Sequence, residues 1–284
     1  MARTFQIAVL CLCFTVFSLS GCETPDNPEP FQDNTSIKDL GPENPNGIPQ
    51  KTVLKTINLD LHIFEIPADN ISELDEIRRV LGTRSLQFIN PVAFRANSFS
   101  VYSGQGQTRN TILDQLTIAG AQTLTQIAIM LPDGQAEDTI IKEIIQPQVV
   151  YFTSTQGIRE TVHIEPGIIA LRIKVENPAI LNGTCNVTAC PVFTLLKGNT
   201  IPELNQRLRL RDFAFDAAAF RLNMKPGDFV FLAPETYISD QLTLCGLFFS
   251  NPPGSIFFNK DIYKVPTRKP AVRVFLFTCV GVNY

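Results

Sequence analysis

The pattern of hydrophobic and polar positions divides the chain into four regions. Phe5 to Phe17 is an apolar run broken only by Gln6 and Thr15, too short to span a bilayer as a helix. From Glu23 to about Lys51 no periodicity exists, and Pro25, Pro28, Pro30, Pro42, Pro45 and Pro49 alternate with Asn, Asp, Glu and Gly, the pattern of a disordered tether. As a coil of ~30 residues it spans on the order of 30 Å, and up to about 90 Å if drawn out as polyproline. From Val53 the pattern becomes periodic. Ile57, Leu59, Leu61 and Ile63 alternate with Asn58, Asp60 and His62, which predicts a half-buried strand. After Pro67, Asn70 and Glu73 stand at capping-box spacing ahead of Leu74, Ile77 and Leu81, predicting a helix that Gly82 ends. Leu86–Ile89 and Ser98–Tyr102 read as strands separated by an Asn90-Pro91 turn. Thr108–Ala119 reads as a helix and Leu124–Leu131 as a strand. The order is β-α-β-β-α-β, a split arrangement whose sheet carries its helices on one face.

Beyond the Leu131-Pro132-Asp133-Gly134 turn the helical period disappears. Thr139–Ile145, Val149–Thr153, Arg159–Ile164 and Ile168–Val175 read as strands, with a hairpin at Thr155-Gln156-Gly157. Phe193–Leu196, Leu208–Phe215, Phe229–Leu232, Leu242–Phe249, Ile256–Phe258 and Val272–Val280 continue the series. Turns are marked at Lys225-Pro226-Gly227-Asp228 and Asn251-Pro252-Pro253-Gly254, and Asp216–Phe220 fits one helical turn or a loop. Many short strands punctuated by Pro and Gly predict a β-sandwich. The fold class expected is therefore α+β: a split module over 53–131, then a mostly antiparallel, sandwich-like half over 132–284.

Arg3, the apolar run and Leu19-Ser20-Gly21-Cys22 together resemble the leader and lipobox of bacterial lipoproteins. The resemblance covers residues 1–22 and implies a signal peptide over 1–21, acylation of the Cys22 thiol, and a mature chain that begins at Cys22. Two acyl chains at ~0.8 kcal/mol per buried CH₂ give stable anchoring where one is marginal. In that family an aspartate after the cysteine retains the protein at the inner membrane, so Glu23 implies the outer one. The element order over Ile57–Met130 is similar to the small periplasmic ring-forming domains of secretins. That likeness is one of topology, carries no motif residues, and extends to ferredoxin-like folds in general.

Composition narrows the function classes. The 284 residues are 44% hydrophobic and 18% charged, which is globular. The net charge of −3 becomes −4 once Arg3 leaves with the leader, so nucleic acid is not an expected partner. Of seven cysteines, Cys11 and Cys13 leave with the leader and Cys22 is acylated. Cys185, Cys190, Cys245 and Cys279 remain as disulfide candidates in an exported chain. Cys185 and Cys190 bracket the polar stretch Asn186–Ala189 and are placed to close it as a loop. Cys245 and Cys279 lie in apolar runs that fit buried thiols or a bridge equally. The chain has 21 Phe and no Trp, and the Phe-rich C-terminal half reads as an inter-sheet core ahead of an aromatic ligand platform.

Catalytic signatures are weak. His62 and Glu65 lie three apart on a strand and point to opposite faces. His163 and Glu165 share a face, but no spacing nominates a third metal ligand. Ser103–Gln107 precedes a helix and lacks the remaining residues of a dinucleotide site. Asp133, Glu137 and Asp138 cluster at a turn, where calcium or plain solvation would suit them. No metal or cofactor is expected, and no catalytic residue is nominated. The expectation is a lipid-anchored, non-enzymatic interaction or assembly protein of the cell envelope, with membrane and envelope proteins as partners. The alternative is a lipoprotein that binds a small ligand or glycan in a cleft between the two halves.

Overall fold

The alternation that opens the folded region produces a strand of full length. The computed structural model describes residues 56–83, 86–176, 183–195, 212–251, 256–257, 267–268 and 270–283. The leader, Cys22 and the tether lie outside them, as does much of the strand expected over Leu208–Phe215. β1 (Thr56–Pro67) buries Ile57, Leu59, Leu61 and Ile63 and leaves Asn58, Asp60 and His62 half-buried. A 3₁₀ segment, Ala68–Glu73, leads into α1 (Leu74–Val80), which buries Leu74 and Ile77. Asn70 does not cap this helix as its spacing predicts. Its carboxamide donates instead to the Ala119 carbonyl at 3.0 Å. β2 (Leu86–Phe88) follows. Asn90-Pro91, expected as a turn, opens a further helix, α2 (Pro91–Ala96). Asn90 Oδ1 accepts from the Val92 and Ala93 amides at 3.0 and 3.1 Å, and proline suits the first helical position. β3 (Phe99–Gly104), α3 (Gly106–Ile118) and β4 (Gln122–Pro132) complete the first half.

The second half supplies β5 (Ala136–Ile144), β6 (Gln148–Thr153), β7 (Arg159–Ile164) and β8 (Gly167–Glu176). It continues with β9 (Cys185–Leu195), β10 (Phe213–Ala214), β11 (Phe220–Met224) and β12 (Phe229–Pro234). α4 (Leu244–Phe249), β13 (Ser250–Asn251), β14 (Ile256–Phe257), β15 (Thr267–Arg268) and β16 (Ala271–Asn283) close the chain. The Leu242–Phe249 run, expected as a strand, is helical from Leu244. Thr243 Oγ1 accepts from the Gly246 amide at 3.2 Å, and Asp240 Oδ1 accepts from the Leu242 amide at 2.8 Å. All six helical residues are buried, so the segment is apolar all round and its period is hidden.

The class is α+β with antiparallel, sandwich-like sheets. One sheet runs β3-β12-β16-β1-β4, with β13 on β16. The second runs β2-β11-β9-β8-β5, with β10 on β9. β6 and β7 form a separate hairpin, as do β14 and β15. Strands from both sides of residue 131 meet in each sheet: β3 and β1 pair with β12 and β16 in the first, and β2 pairs with β11 in the second. β1 pairs β4 and also β16, Leu61 lying opposite Phe277 and Ile63 opposite Phe275. Those side chains point towards the second sheet, where Phe220 stacks on Phe277 with centroids 6.1 Å apart. β16 is also buried on its other face through Val272, Val274 and Leu276. A strand covered on both faces reads as a continuous apolar run. Phe99, Phe215, Phe220, Phe229, Phe231, Phe275 and Phe277 are fully buried, so these phenylalanines are core.

Candidate functional site

Three local features build a cleft of about 370 Å³. The first is the end of α2. Asn97 closes the helix and Ser98 follows with φ 59°, a left-handed conformation at the position where helices commonly end on glycine. For a serine this costs on the order of 1 kcal/mol. The surroundings hold it there: the Ser98 amide donates to Arg95 O at 2.7 Å and its carbonyl accepts from the Glu235 amide at 2.9 Å. The Cys245 thiol donates to the same carbonyl at 3.6 Å.

The second feature is the β6–β7 hairpin, which belongs to neither main sheet and is clipped to the body by polar contacts. Asn97 Nδ2 donates to the Ala93 and Thr153 carbonyls at 2.9 and 2.8 Å, and its Oδ1 accepts from the Thr153 amide at 2.8 Å. Asn90 Nδ2 donates to Thr155 O at 2.9 Å. On the other side the Tyr151 amide donates to Leu242 O at 2.7 Å. The third feature is the segment from Ile238 to Cys245, fixed by the Asp240–Thr243 turn. Into the space between them the hairpin presents the Tyr151 ring and Arg159, whose guanidinium carbon lies 6.0 Å from the ring centroid. Arg159 makes no ion pair among the described residues. Burial, and secondarily Glu235, pushes the Cys245 thiol up to about 12, so at neutral pH it is a protonated donor and no nucleophile. What the cleft offers is a cation, an aromatic face and backbone polar groups, which is recognition chemistry.

The residues nominated from spacing are dispersed. Cys185 and Cys190 do not bracket a loop. Residues 185–190 are the start of β9, with Cys185, Val187 and Ala189 buried and Asn186 and Thr188 alternating with them. Five residues of strand separate the two sulfurs by about 16 Å and point them to opposite faces, so the local loop closure is corrected. Burial pushes Cys190 up to about 12, with Asp216 adding to the effect. Cys185 instead faces Cys279 of the opposite sheet, with Sγ atoms 4.0 Å apart. None of the four sulfurs is bonded to another in this structure.

His62 lies against Phe64, with parallel rings 6.1 Å apart, and its pKa is lowered by burial and then by Arg109. Glu65, on the other face, accepts from Arg273 Nε at 3.2 Å and from Asn251. Arg273 also donates to Ile141 O at 2.5 Å, tying the first sheet to β5 of the second. His163 and Glu165 are both exposed. Asp138 is engaged by Arg172 through two bonds of 2.6 and 2.8 Å, and Arg172 also reaches Asp212 at 2.5 Å. Asp138 is thus part of an ion-pair network. No group of three metal-ligating side chains converges among the described residues. The glycines before α3 serve packing: a Cβ on Gly104 would lie 2.8 Å from Leu81 Cδ2 and overlap the Phe229 ring.

One further feature had no signature in the sequence. A sandwich has four sheet edges, and here three are closed. β2 is three residues long. β3 is covered by Gly82, whose amide and carbonyl both bond Ser103, at 3.2 and 2.8 Å. β5 carries Glu137, Asp138, Lys142 and Glu143. β4 pairs only β1 among the described residues, runs eleven residues, and contains no charged residue. Leu124 and Met130 on it are 51% and 68% exposed.

No protein-family model and no curated protein matches the chain. Among solved structures it is similar to the InvG secretin-domain β-barrel from the Salmonella SPI-1 injectisome NC-base, at 10% identity and a TM-score of 0.20. The alignment covers 81% of this chain, which spans 64% of the length of that one. Among the described residues no helix is long and apolar enough to cross a membrane.

Proposed function

We propose that the protein is a non-catalytic interaction protein of the bacterial envelope, anchored through acylated Cys22 at the outer membrane, that takes up an extended segment of an envelope partner along β4. The carrying observation is the contrast among the four edges. Natural sheets blunt an edge by shortness, charge or cover. β2, β5 and β3 show these three devices in turn; among the described residues β4 shows none of the three, and a single bulge at Leu124 interrupts its pairing with β1. A free strand edge presents a row of unpaired N–H and C=O groups. An added strand satisfies them while pockets along the sheet read alternate side chains. The lipobox resemblance of residues 1–22 supports the anchor, and residues 23–51, expected from their composition to form a tether, would give the folded region reach from its membrane.

The test is cross-linking in the intact envelope from a photoreactive side chain at Gln126 or Ala128, both exposed on β4. One protein should be captured in defined stoichiometry and lost when Ala128→Lys and Met130→Glu are introduced together, with the fold retained. Equal capture from Glu143 on β5, or capture that survives the charge substitutions, removes the edge reading. A second reading, a small-ligand or glycan-binding lipoprotein, is favoured by the cleft, where Arg159 and the Tyr151 ring face an open concavity. Under that reading an anionic glycan fragment binds the full chain, and Arg159→Ala weakens it at least about tenfold. Equal binding by both forms rejects it.

A further inference from the structure

We propose that Cys185 and Cys279 form a disulfide that ties the two sheets of the sandwich together. The two residues come from different sheets and lie 94 positions apart in the chain, yet their sulfurs stand 4.0 Å from one another. Both side chains are fully buried. Each flanks a pair that fixes its direction: Cys185 lies opposite Met224 of β11, and Cys279 lies opposite Leu59 of β1. An S–S bond is about 2.05 Å, so each sulfur has to move about 1 Å, which rotation about the two Cα–Cβ bonds supplies. Immunoglobulin sandwiches place a buried cystine between their sheets in the same way. Neither other thiol of the folded region competes. Cys190 points to the opposite face of β9, and Cys245 is held on the Ser98 carbonyl at 3.6 Å.

The oxidant is a disulfide of an exogenous thiol, either a small molecule or an exported thiol oxidoreductase. One cysteine thiolate attacks a sulfur of that disulfide, forming a mixed disulfide and releasing the first thiol. The second cysteine thiolate then attacks the mixed disulfide at the protein sulfur, closing the Cys185–Cys279 bond and releasing the second thiol. Two electrons pass to the oxidant, and the two protons leave on the released thiols. Because both sulfurs are sealed in the closed sandwich, the exchange belongs to the folding step, before the sheets meet. The resulting bond is shielded from reductants afterwards. This inference is independent of the edge and cleft readings and requires only an oxidising disulfide during folding.

The test uses the full chain, reduced and denatured, then refolded in detergent with glutathione disulfide, alkylated under denaturing conditions and digested. The expected result is a single linked peptide joining the fragments that carry Cys185 and Cys279, lighter than their sum by two hydrogens, with Cys190 and Cys245 alkylated. Reduction should lower the melting temperature by about 5–15 °C. Cys279→Ala should melt like the reduced protein, and Cys190→Ser should keep the bridge. Four alkylated thiols in the refolded wild-type chain, or a linked peptide joining any other pair, overturns the proposal. That peptide map decides the matter even where a variant fails to fold.

Discussion

Asn97 offers the sharpest perturbation of the cleft. Its side chain is 6% exposed and makes three hydrogen bonds, one to Ala93 and a reciprocal pair with the Thr153 backbone. Asn97→Ala removes all three and leaves the Thr153 N–H and C=O facing a void that the alanine does not fill. At ~1 kcal/mol net for each bond, with a further penalty wherever a buried group stays unsatisfied, the loss is about 3 kcal/mol. In a unit of this size that corresponds to roughly 6–12 °C in Tm. The assay is urea unfolding followed by two probes, combined with amide exchange read at Thr153. The Thr153 amide should exchange faster by more than the global stability change accounts for, because the hairpin loses its clip while the sheets keep theirs. Asn90→Ala, which loses one hairpin bond and a helix cap, should cost less. A stability change below about 0.5 kcal/mol with unaltered exchange at Thr153 would refute the idea that Asn97 holds the hairpin against the body.

Other consequences are equally concrete. Gly104→Ala should destabilise the protein by about 1–3 kcal/mol through overpacking, and Phe229→Leu in the same chain should recover part of the loss; additive costs would contradict the packing role. Arg172→Met should cost about 3 kcal/mol because it removes the cation that bridges Asp138 and Asp212, whose side chains are 15% and 5% exposed. Adding Asp212→Leu should restore much of that stability in denaturant unfolding. The pKa of His62 is lowered from 6.5 by burial and Arg109, so the unfolded chain binds a proton that the folded chain resists. Stability should therefore fall as pH drops below 6.5, and His62→Gln should flatten that part of the profile; an unchanged profile counts against it. Cys22→Ala should abolish acylation and release the protein from the membrane fraction, and unchanged mass and fractionation would refute the anchor.

Much of the fold was legible where alternation was clean. β1, β7, β8 and β16 run close to the spans their periodicity predicts, and the order of strands and of α1 and α3 over 56–132 follows the pattern. The pairing was not legible. Alternation at Leu59 or Leu61 states which face is buried and leaves the neighbour open, so nothing local announces that β16 inserts between β1 and β12. α2 was hidden because Asn90-Pro91 signals a turn and a helix start with the same two residues. α4 was hidden because burial on all sides erases its period, although Asp240 and Thr243 carry the capping chemistry. Asn186 and Thr188 read as loop residues yet are the outward positions of β9, and that misreading concealed the partner of Cys185. The cleft draws on residues 96–98, 151–159 and 238–245, too far apart for spacing to join. The missing charges of β4 are visible in the sequence, but they acquire meaning only once β4 is known to be an edge.

The claim at the centre is that β4 is an open edge completed by a partner strand. Amide hydrogen exchange along residues 122–132, compared between the free protein and its complex with the cross-linked partner, tests it most directly. Alternate β4 amides, those not bonded to β1, should exchange rapidly in the free protein and become protected in the complex, while protection in β5 stays unchanged. Unaltered exchange in β4 on complex formation, or protection confined to the cleft around Ser98, would contradict it.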